Sequence, residues 1–490
     1  RSAGAMSPPE SNRQWWVLLG TCLGLFILML DSTVVALALP TIERELHASA
    51  DNVQWVLNGY LLVISVLVVT AGRLGDIYGR RAVFLIGMAV FAAGSVLAAL
   101  ADDDALLVAA RGVQGIGGAA MLSLSLAIVS HAFPVEEQGR ALGIWAAVSA
   151  LALAIGPLVG GALIDIDWRL IFWINLPICA AGIAITWWAA RESRDETSPP
   201  KVDFPGLATL TPGLLALVFA LVRADNWGWG SVRTLGLIAL GVLLLAAFWA
   251  IEHRVTSPIV DFSLFRNGPY LGASAAAFAL VGAYWVVIFY QPQYLQKVLD
   301  HGPIGAGVLV LPITAPMVFI SPFCGPLIKR FGPRGLMTFG MVCGAVGLAL
   351  LTRIDASSSY GALLPGYLLF GIALGLVYAP MSTAAMLAMP RAKAGIAAGV
   401  LAMVRVTAGA LGLAVVSAVF QAIQSDQLDQ HPGDAAGAFA TALGDSTWVL
   451  VALVAAGAVA TWALVRRAGE EHPAPEEHPQ QRLERHRLHI

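Results

Sequence analysis

The chain has 490 residues, 58% of them hydrophobic and only 12% charged, about half the charge of a soluble globular domain. Such a composition belongs in lipid, and a formal net charge of -2 gives no general pull toward nucleic acid. Cys22, Cys179, Cys324 and Cys343 all lie in apolar runs with no CxxC pair and no metal-like spacing to His, so they read as small core hydrophobes, and neither a metal nor a cofactor is expected.

Arg1 to Ala5, ahead of Met6, read as a cloning remnant. The Trp15 to Leu39 run is too long for a cleavable leader and lacks a small-residue cleavage site, so it is expected to stay as a membrane helix. A bilayer core of about 30 Å needs roughly 20 apolar residues per helix. Fourteen runs meet that length, near residues 15–39, 53–72, 82–101, 105–131, 140–164, 169–190, 206–222, 234–251, 271–295, 304–328, 335–353, 360–382, 396–423 and 447–465. The seventh is short and carries Pro212.

Basic residues crowd alternate turns. Arg73, Arg80, Arg81, Arg140, Arg191, Arg194, Lys201, Arg254, Arg266, Lys329, Arg330, Arg334, Arg391 and Lys393 share one side with the termini, whereas the other side is poor in them and carries Asp102, Asp103, Asp104, Asp426, Asp429 and Asp434. The positive-inside rule then predicts both termini in the cytoplasm and an even span count. Trp15, Trp16, Trp187, Trp188 and Trp249 near span ends fit interfacial belts. The polar tail from Ala468 reads as disordered. Abundant Arg, Ala and Gly fit a GC-rich bacterial gene, hence a bacterial cytoplasmic (inner) membrane.

A weak repeat divides the chain. GRLGDIYGRR from Gly72 to Arg81 follows the second span, and GPLIKRFGPR from Gly325 to Arg334 follows the tenth. Such a repeat predicts two halves related by an axis along the membrane normal. The expected fold is therefore an all-α polytopic membrane protein: a short terminus over 1–14, a six-helix bundle over 15–190, a linker with two inserted helices over 191–270, a second six-helix bundle over 271–465 and a tail over 466–490.

Asp31 is a carboxylate deep in an apolar run, some 12 Å from the outer end of its span, and Arg111 lies about 10 Å from the same face. Intramembrane ionisable groups cost at least about 2.5 kcal/mol and normally face a partner or a wet cavity. Burial favours a neutral carboxyl and a nearby guanidinium favours the carboxylate, so relative movement of the two changes proton affinity. That is what coupling a proton gradient to a conformational change requires. A purely structural ion pair is the plainer alternative. In the Gly72 to Arg81 turn, Gly72 and Gly79 permit a tight approach, while Asp76 can cap a helix or pair with a cation across the seam between halves. In span five, Pro157 kinks the helix, and Gly156, Gly160 and Gly161 offer a flat face for the other half. Arg405 with Gly409 and Gly412 forms a further site in span thirteen. Asn58, Tyr60, Gln114, Tyr284, Trp285, Phe289, Tyr290, Gln291, Tyr378, Met381 and Arg405 are candidates to line a substrate cavity, where aromatic and Met side chains suit varied apolar or cationic ligands.

These residues carry a family resemblance. Gly72, Leu74, Asp76, Gly79, Arg80 and Arg81 resemble the signature turn of the major facilitator superfamily. Leu30, Asp31, Thr33 and Pro40 are similar to the first-helix motif of its drug:proton antiporters, with Ala36 where Asn is usual. Arg111, Gln114, Gly115 and Gly117 resemble the fourth-helix motif, whose Arg is implicated in proton transfer. Gly156, Pro157, Gly160 and Gly161 resemble the fifth-helix antiporter motif, with Ala152 at an upstream Gly position. Trp168, Arg169, Asn175 and Pro177 resemble the sixth-helix pattern of the fourteen-span members. The resemblance implies proton-coupled efflux of lipophilic or cationic drugs by a monomer embedded in the bilayer, exchanging protons for a small lipophilic molecule. Export or flipping of a lipid-like metabolite, and a non-transporting sensor on the same fold, stay open. With no GxxxxGK[ST] loop an ATP-driven pump is not expected, and with no HExxH, GxSxG or Cys/His cluster neither is an enzyme.

Overall fold

Hydrocarbon offers a backbone no partners, so chain crossing it must satisfy its own amides. The computed structural model accordingly holds helices and no strand among the described residues, which are 12–194, 203–255, 258–260, 262–389 and 394–465. The polar tail and residues 1–11, including the expected remnant over 1–5, lie outside them. The helices are α1 (Arg13–Glu45), α2 (Ala50–Tyr78), α3 (Arg80–Ala99), α4 (Asp104–Ala132), α5 (Val135–Ile164), α6 (Leu170–Trp173), α7 (Asn175–Ala189), α8 (Phe204–Trp227), α9 (Val232–Glu252), α10 (Gly268–Lys297), α11 (Pro303–Leu309), α12 (Leu311–Ile320), α13 (Cys324–Leu351), α14 (Tyr360–Leu387), α15 (Ala394–Gln430) and α16 (Ala435–Leu464).

Among the described residues thirteen helical segments, with α6 and α7 counted as one, are long and apolar enough to cross a membrane, and α11 with α12, bent by 42°, makes a fourteenth. The predicted run at 304–328 is thus a broken span. Pro312 opens α12 and Pro316 lies within it, and each removes a backbone donor. The short seventh run is a full helix of 24 residues, with Pro205 in its first turn, where its missing donor costs nothing. Asp203 caps it by accepting from the Gly206 amide at 2.9 Å. Trp187 and Trp249 are 66% and 55% exposed, as interfacial rings should be.

The repeat has a conformational counterpart. Gly79 ends α2 at φ +119°, and Gly332 breaks α13 at φ +72°. They are the eighth residues of the two matched ten-residue turns. Both occupy backbone space that side-chain-bearing residues rarely adopt, so sequence periodicity and chain path agree.

Helices α1–α7 pack among themselves, as do α10–α16, while α9 pairs with α8 and α8 touches α2 and α15. Spans alternate in direction, so α1 begins and α16 finishes at one end of the bundle, called here the terminal end. Among the described residues, hydrogen bonds that join the two groups are found toward the opposite, far end. Gln296 Nε2 donates to the Leu37 carbonyl at 3.1 Å, Lys297 Nζ meets Glu43 Oε2 at 2.5 Å, and Thr314 Oγ1 donates to the Ala154 carbonyl at 3.3 Å. The Glu43–Lys297 pair is about one-third exposed, and such pairs contribute at most about 1 kcal/mol. Glu43→Gln should therefore slow vesicle export by no more than about fivefold; a hundredfold loss would show that the pair does more than clasp the far end.

Candidate functional site

α1 presents Asp31 from its middle, and four neighbouring helices close over it. Arg111 on α4 donates from Nη1 to Asp31 Oδ2 at 2.5 Å and to Gln114 Oε1 at 2.7 Å. Its Nε donates to the Val56 carbonyl of α2 at 3.1 Å. Gln114 Nε2 reaches Asp31 Oδ1 at 3.3 Å and Ser95 Oγ of α3 at 2.8 Å. Asn175 Nδ2, at the start of α7, donates to the same Asp31 oxygen and to Ser95 Oγ, both at 3.0 Å. The guanidinium lies over the Tyr60 ring, 4.0 Å from its centroid. Both charged side chains are wholly buried. Charge-assisted bonds in a low-dielectric interior are strong, and breaking one partner away is costly. The network is not saturated, since Arg111 Nη2 and Asn175 Oδ1 have no partner. A spare donor and a spare acceptor within the cluster allow it to rearrange.

Small residues make this convergence possible. A Cβ on Gly94 would lie 2.7 Å from both the Gln114 amide and its Cγ, and one on Gly117 would lie 2.4 Å from the Gly87 carbonyl. The backbones of α3 and α4 thus touch directly beside the network.

The structure brings Asp31 and Arg111 together as their matched depths predict. It also draws in Tyr60 and Gln114, which sequence reasoning assigned to the substrate surface. Ser95 was missed, and Asn175 was noted only as part of a motif; uncharged polar residues are too common in helices to stand out.

The Gly72 to Arg81 turn is held by residues around it and by the segment that follows α7. Asp76 pairs with Arg80 at 2.8 Å, and the Arg80 amide donates to the Ser193 carbonyl at 3.0 Å. The N-terminus of α3 is covered not by Asp76 but by Glu192, whose carboxylate accepts from the Arg81 and Ala82 amides at 2.9 and 3.1 Å. A carboxylate there complements the helix dipole. Gly79 also leaves room for it, since a Cβ would lie 2.5 Å from the Glu192 carboxyl carbon. Gly72 has ordinary clearance from Ser123, at 3.6 Å.

The antiporter-type segment in α5 divides its contacts. Gly156 and Gly160, one turn apart, seat Thr33 and Val34 of α1 in the same half. Gly161, roughly 100° further round the helix, is the glycine that faces the other half, with Ile304 Cα 2.8 Å from its would-be Cβ. The reciprocal contact comes from α11, where a Cβ on Gly307 would lie 2.2 Å from the Pro157 carbonyl.

The remaining candidates are spread along the bundle. Asn58 is fully buried, and both its amide atoms lack partners. Phe289 and Tyr290 line a far-end cavity of about 240 Å³ with Glu43, Gln54 and Lys297, and Tyr290 donates to Ser417 Oγ at 2.9 Å. Gln291 accepts from Tyr367 Oη at 2.6 Å, and Met381 is core. Tyr378 and Arg405 face each other, with the guanidinium 5.3 Å from the ring centroid. Trp285 lies against Gly409, next to Tyr284.

Residues 21–413 match the family model described as Major Facilitator Superfamily. The chain belongs to that superfamily. Its relatives include the tetracenomycin C resistance and export protein of Streptomyces glaucescens, 35% identical, with the match covering 84% of this chain and 78% of that protein. The multidrug resistance protein Stp of Mycobacterium tuberculosis is 36% identical over 86% of this chain and 78% of its own. Among solved structures, a D-xylose–proton symporter superposes with TM-score 0.65 at 16% identity, covering 93% of this chain and 99% of that one. At that identity the likeness shows the fold alone. This superfamily member is thus a multi-pass membrane transporter, not an enzyme, and its sequence relatives are drug and antibiotic exporters.

Proposed function

We propose that the protein exports lipophilic drugs or antibiotics by alternating access, in exchange for protons, with Asp31 as the proton site. The observation that carries this reading is the buried Asp31–Arg111 pair, drawn from two helices and flanked by Gln114, Asn175 and Ser95. Asp31 and Arg111 belong to different helices, so a shift of α4 against α1 makes or breaks the pair. Proton uptake and release then follow the position of α4 relative to α1. On this reading the terminal end is cytoplasmic, the membrane is the bacterial inner membrane, the units are the two bundles with α8 and α9 inserted, and the working form is a monomer. Inter-half bonds at the far end match a state open toward the cytoplasm, ready to load.

Purified protein in weakly buffered detergent should release protons when given a substrate. We expect release with a polycyclic antibiotic such as tetracenomycin C, the compound named for one relative, and none with lysolipid. Release by lysolipid alone would transfer the assignment to lipid export, and release by none would end the antiport reading.

A further inference from the structure

The charges deep in the bundle do not cancel. Arg111 is matched by Asp31. Arg405 has no such match: among the described residues no carboxylate lies within ion-pair distance of it. It lies eleven residues into α15, about 17 Å from the terminal end of that helix, where an unmatched cation is costly. Its Nη2 touches only Ser382 Oγ at a long 3.4 Å, and its Nε is buried without a partner. A guanidinium is built to take an acid group through two donors at once, and here two donor positions are poorly used.

The surroundings are aromatic. The Tyr378 ring lies beneath the guanidinium, 5.3 Å from it. One turn along α15, Gly409 seats the Trp285 indole so closely that a Cβ would lie 2.4 Å from Cδ1. The buried Tyr284 hydroxyl, on the adjacent residue, lacks a partner as well. Flat π faces beside an uncompensated positive charge suit a planar ring system that brings its own negative charge. A cationic ligand would meet a like charge there.

We propose that the cargo is a planar aromatic acid, a polycyclic molecule with an ionised carboxyl or acidic phenol, held through Arg405. This narrows the expectation of lipophilic or cationic drugs and rests on the export reading only for what happens after binding. The ligand supplies the missing anion, and Tyr378, partly exposed against the guanidinium, supplies the stacking surface, backed by the buried Trp285.

Fluorescein and rhodamine 6G share a xanthene ring and differ in charge, so they isolate the effect. Titrated into full-length protein in detergent at pH 7.4 and followed by anisotropy, fluorescein should bind at least tenfold tighter than rhodamine 6G. Arg405→Gln should bring the two within about threefold of each other, and Arg405→Lys should keep a clear anion preference. If Arg405→Gln aggregates, Ser382→Asp places a carboxylate beside the guanidinium and should weaken fluorescein while sparing rhodamine 6G. Equal or tighter binding of rhodamine 6G, absence of fluorescein binding, or an unchanged ratio in the variants would overturn the proposal. Fluorescein binding without proton release would instead overturn antiport and leave this inference standing.

Discussion

Protein carrying Asp31→Asn is expected to insert and bind substrate but to lose gradient-driven export by at least a hundredfold. The amide keeps the size of the carboxyl and can still accept from Arg111, which also retains Gln114 Oε1 and the Val56 carbonyl. These acceptors moderate the loss of roughly 3–5 kcal/mol that follows from removing one member of a buried pair. What the amide cannot do is gain and lose a proton. Proteoliposomes separate the two functions. Uptake against a substrate gradient driven by an imposed pH difference should vanish, whereas downhill counterflow, which needs only alternating access, should continue. If pH-driven uptake survives, Asp31 is a structural anchor and the protons travel elsewhere.

The second large effect is steric. Gly307→Ala should cut export at least tenfold without unfolding the protein, because its methyl would lie 2.2 Å from the Pro157 carbonyl of the opposite half. That carbonyl belongs to main chain at a proline kink in α5 and cannot swing aside as a side-chain tip can. The far end would be held apart, biasing the two-state equilibrium away from the arrangement described. A cysteine replacing Lys297 reports this directly, since a membrane-impermeant thiol reagent should modify it at least fivefold faster in the Gly307→Ala background. Gly302→Ala, which meets no atom within 4 Å, is the matched control and should behave as the parent. Equal labelling in both would mean that the α5–α11 contact does not close the far end.

The helix count and the Asp31–Arg111 contact were both legible in the residues, for a shared reason. Burial in lipid is so unfavourable for charge that a lone Asp or Arg in an apolar run announces itself. Uncharged polar groups carry no such signal, and their roles come from which face of a helix they occupy. Tyr60 was therefore assigned to the cavity although its ring lies under Arg111, and Ser95 passed unnoticed although two amides converge on it. The glycines of α5 show the same limit. Their spacing revealed a close approach but not that Gly156 and Gly160 serve α1, leaving Gly161 for the partner half. Glu192 was hidden for another reason: its role depends on the chain returning to the start of α3, about 110 residues earlier in sequence, which no local pattern encodes.

Every group in the Asp31 network belongs to α1–α4 and α7, whereas Arg405, Tyr378 and Trp285 belong to α10, α14 and α15. On the reading proposed above, engine and grip occupy different halves of one polypeptide. Mutations that reshape the grip can accumulate without disturbing the engine. On that reading ligand preference can change through residues of α10, α14 and α15 while the Asp31 network keeps its contacts.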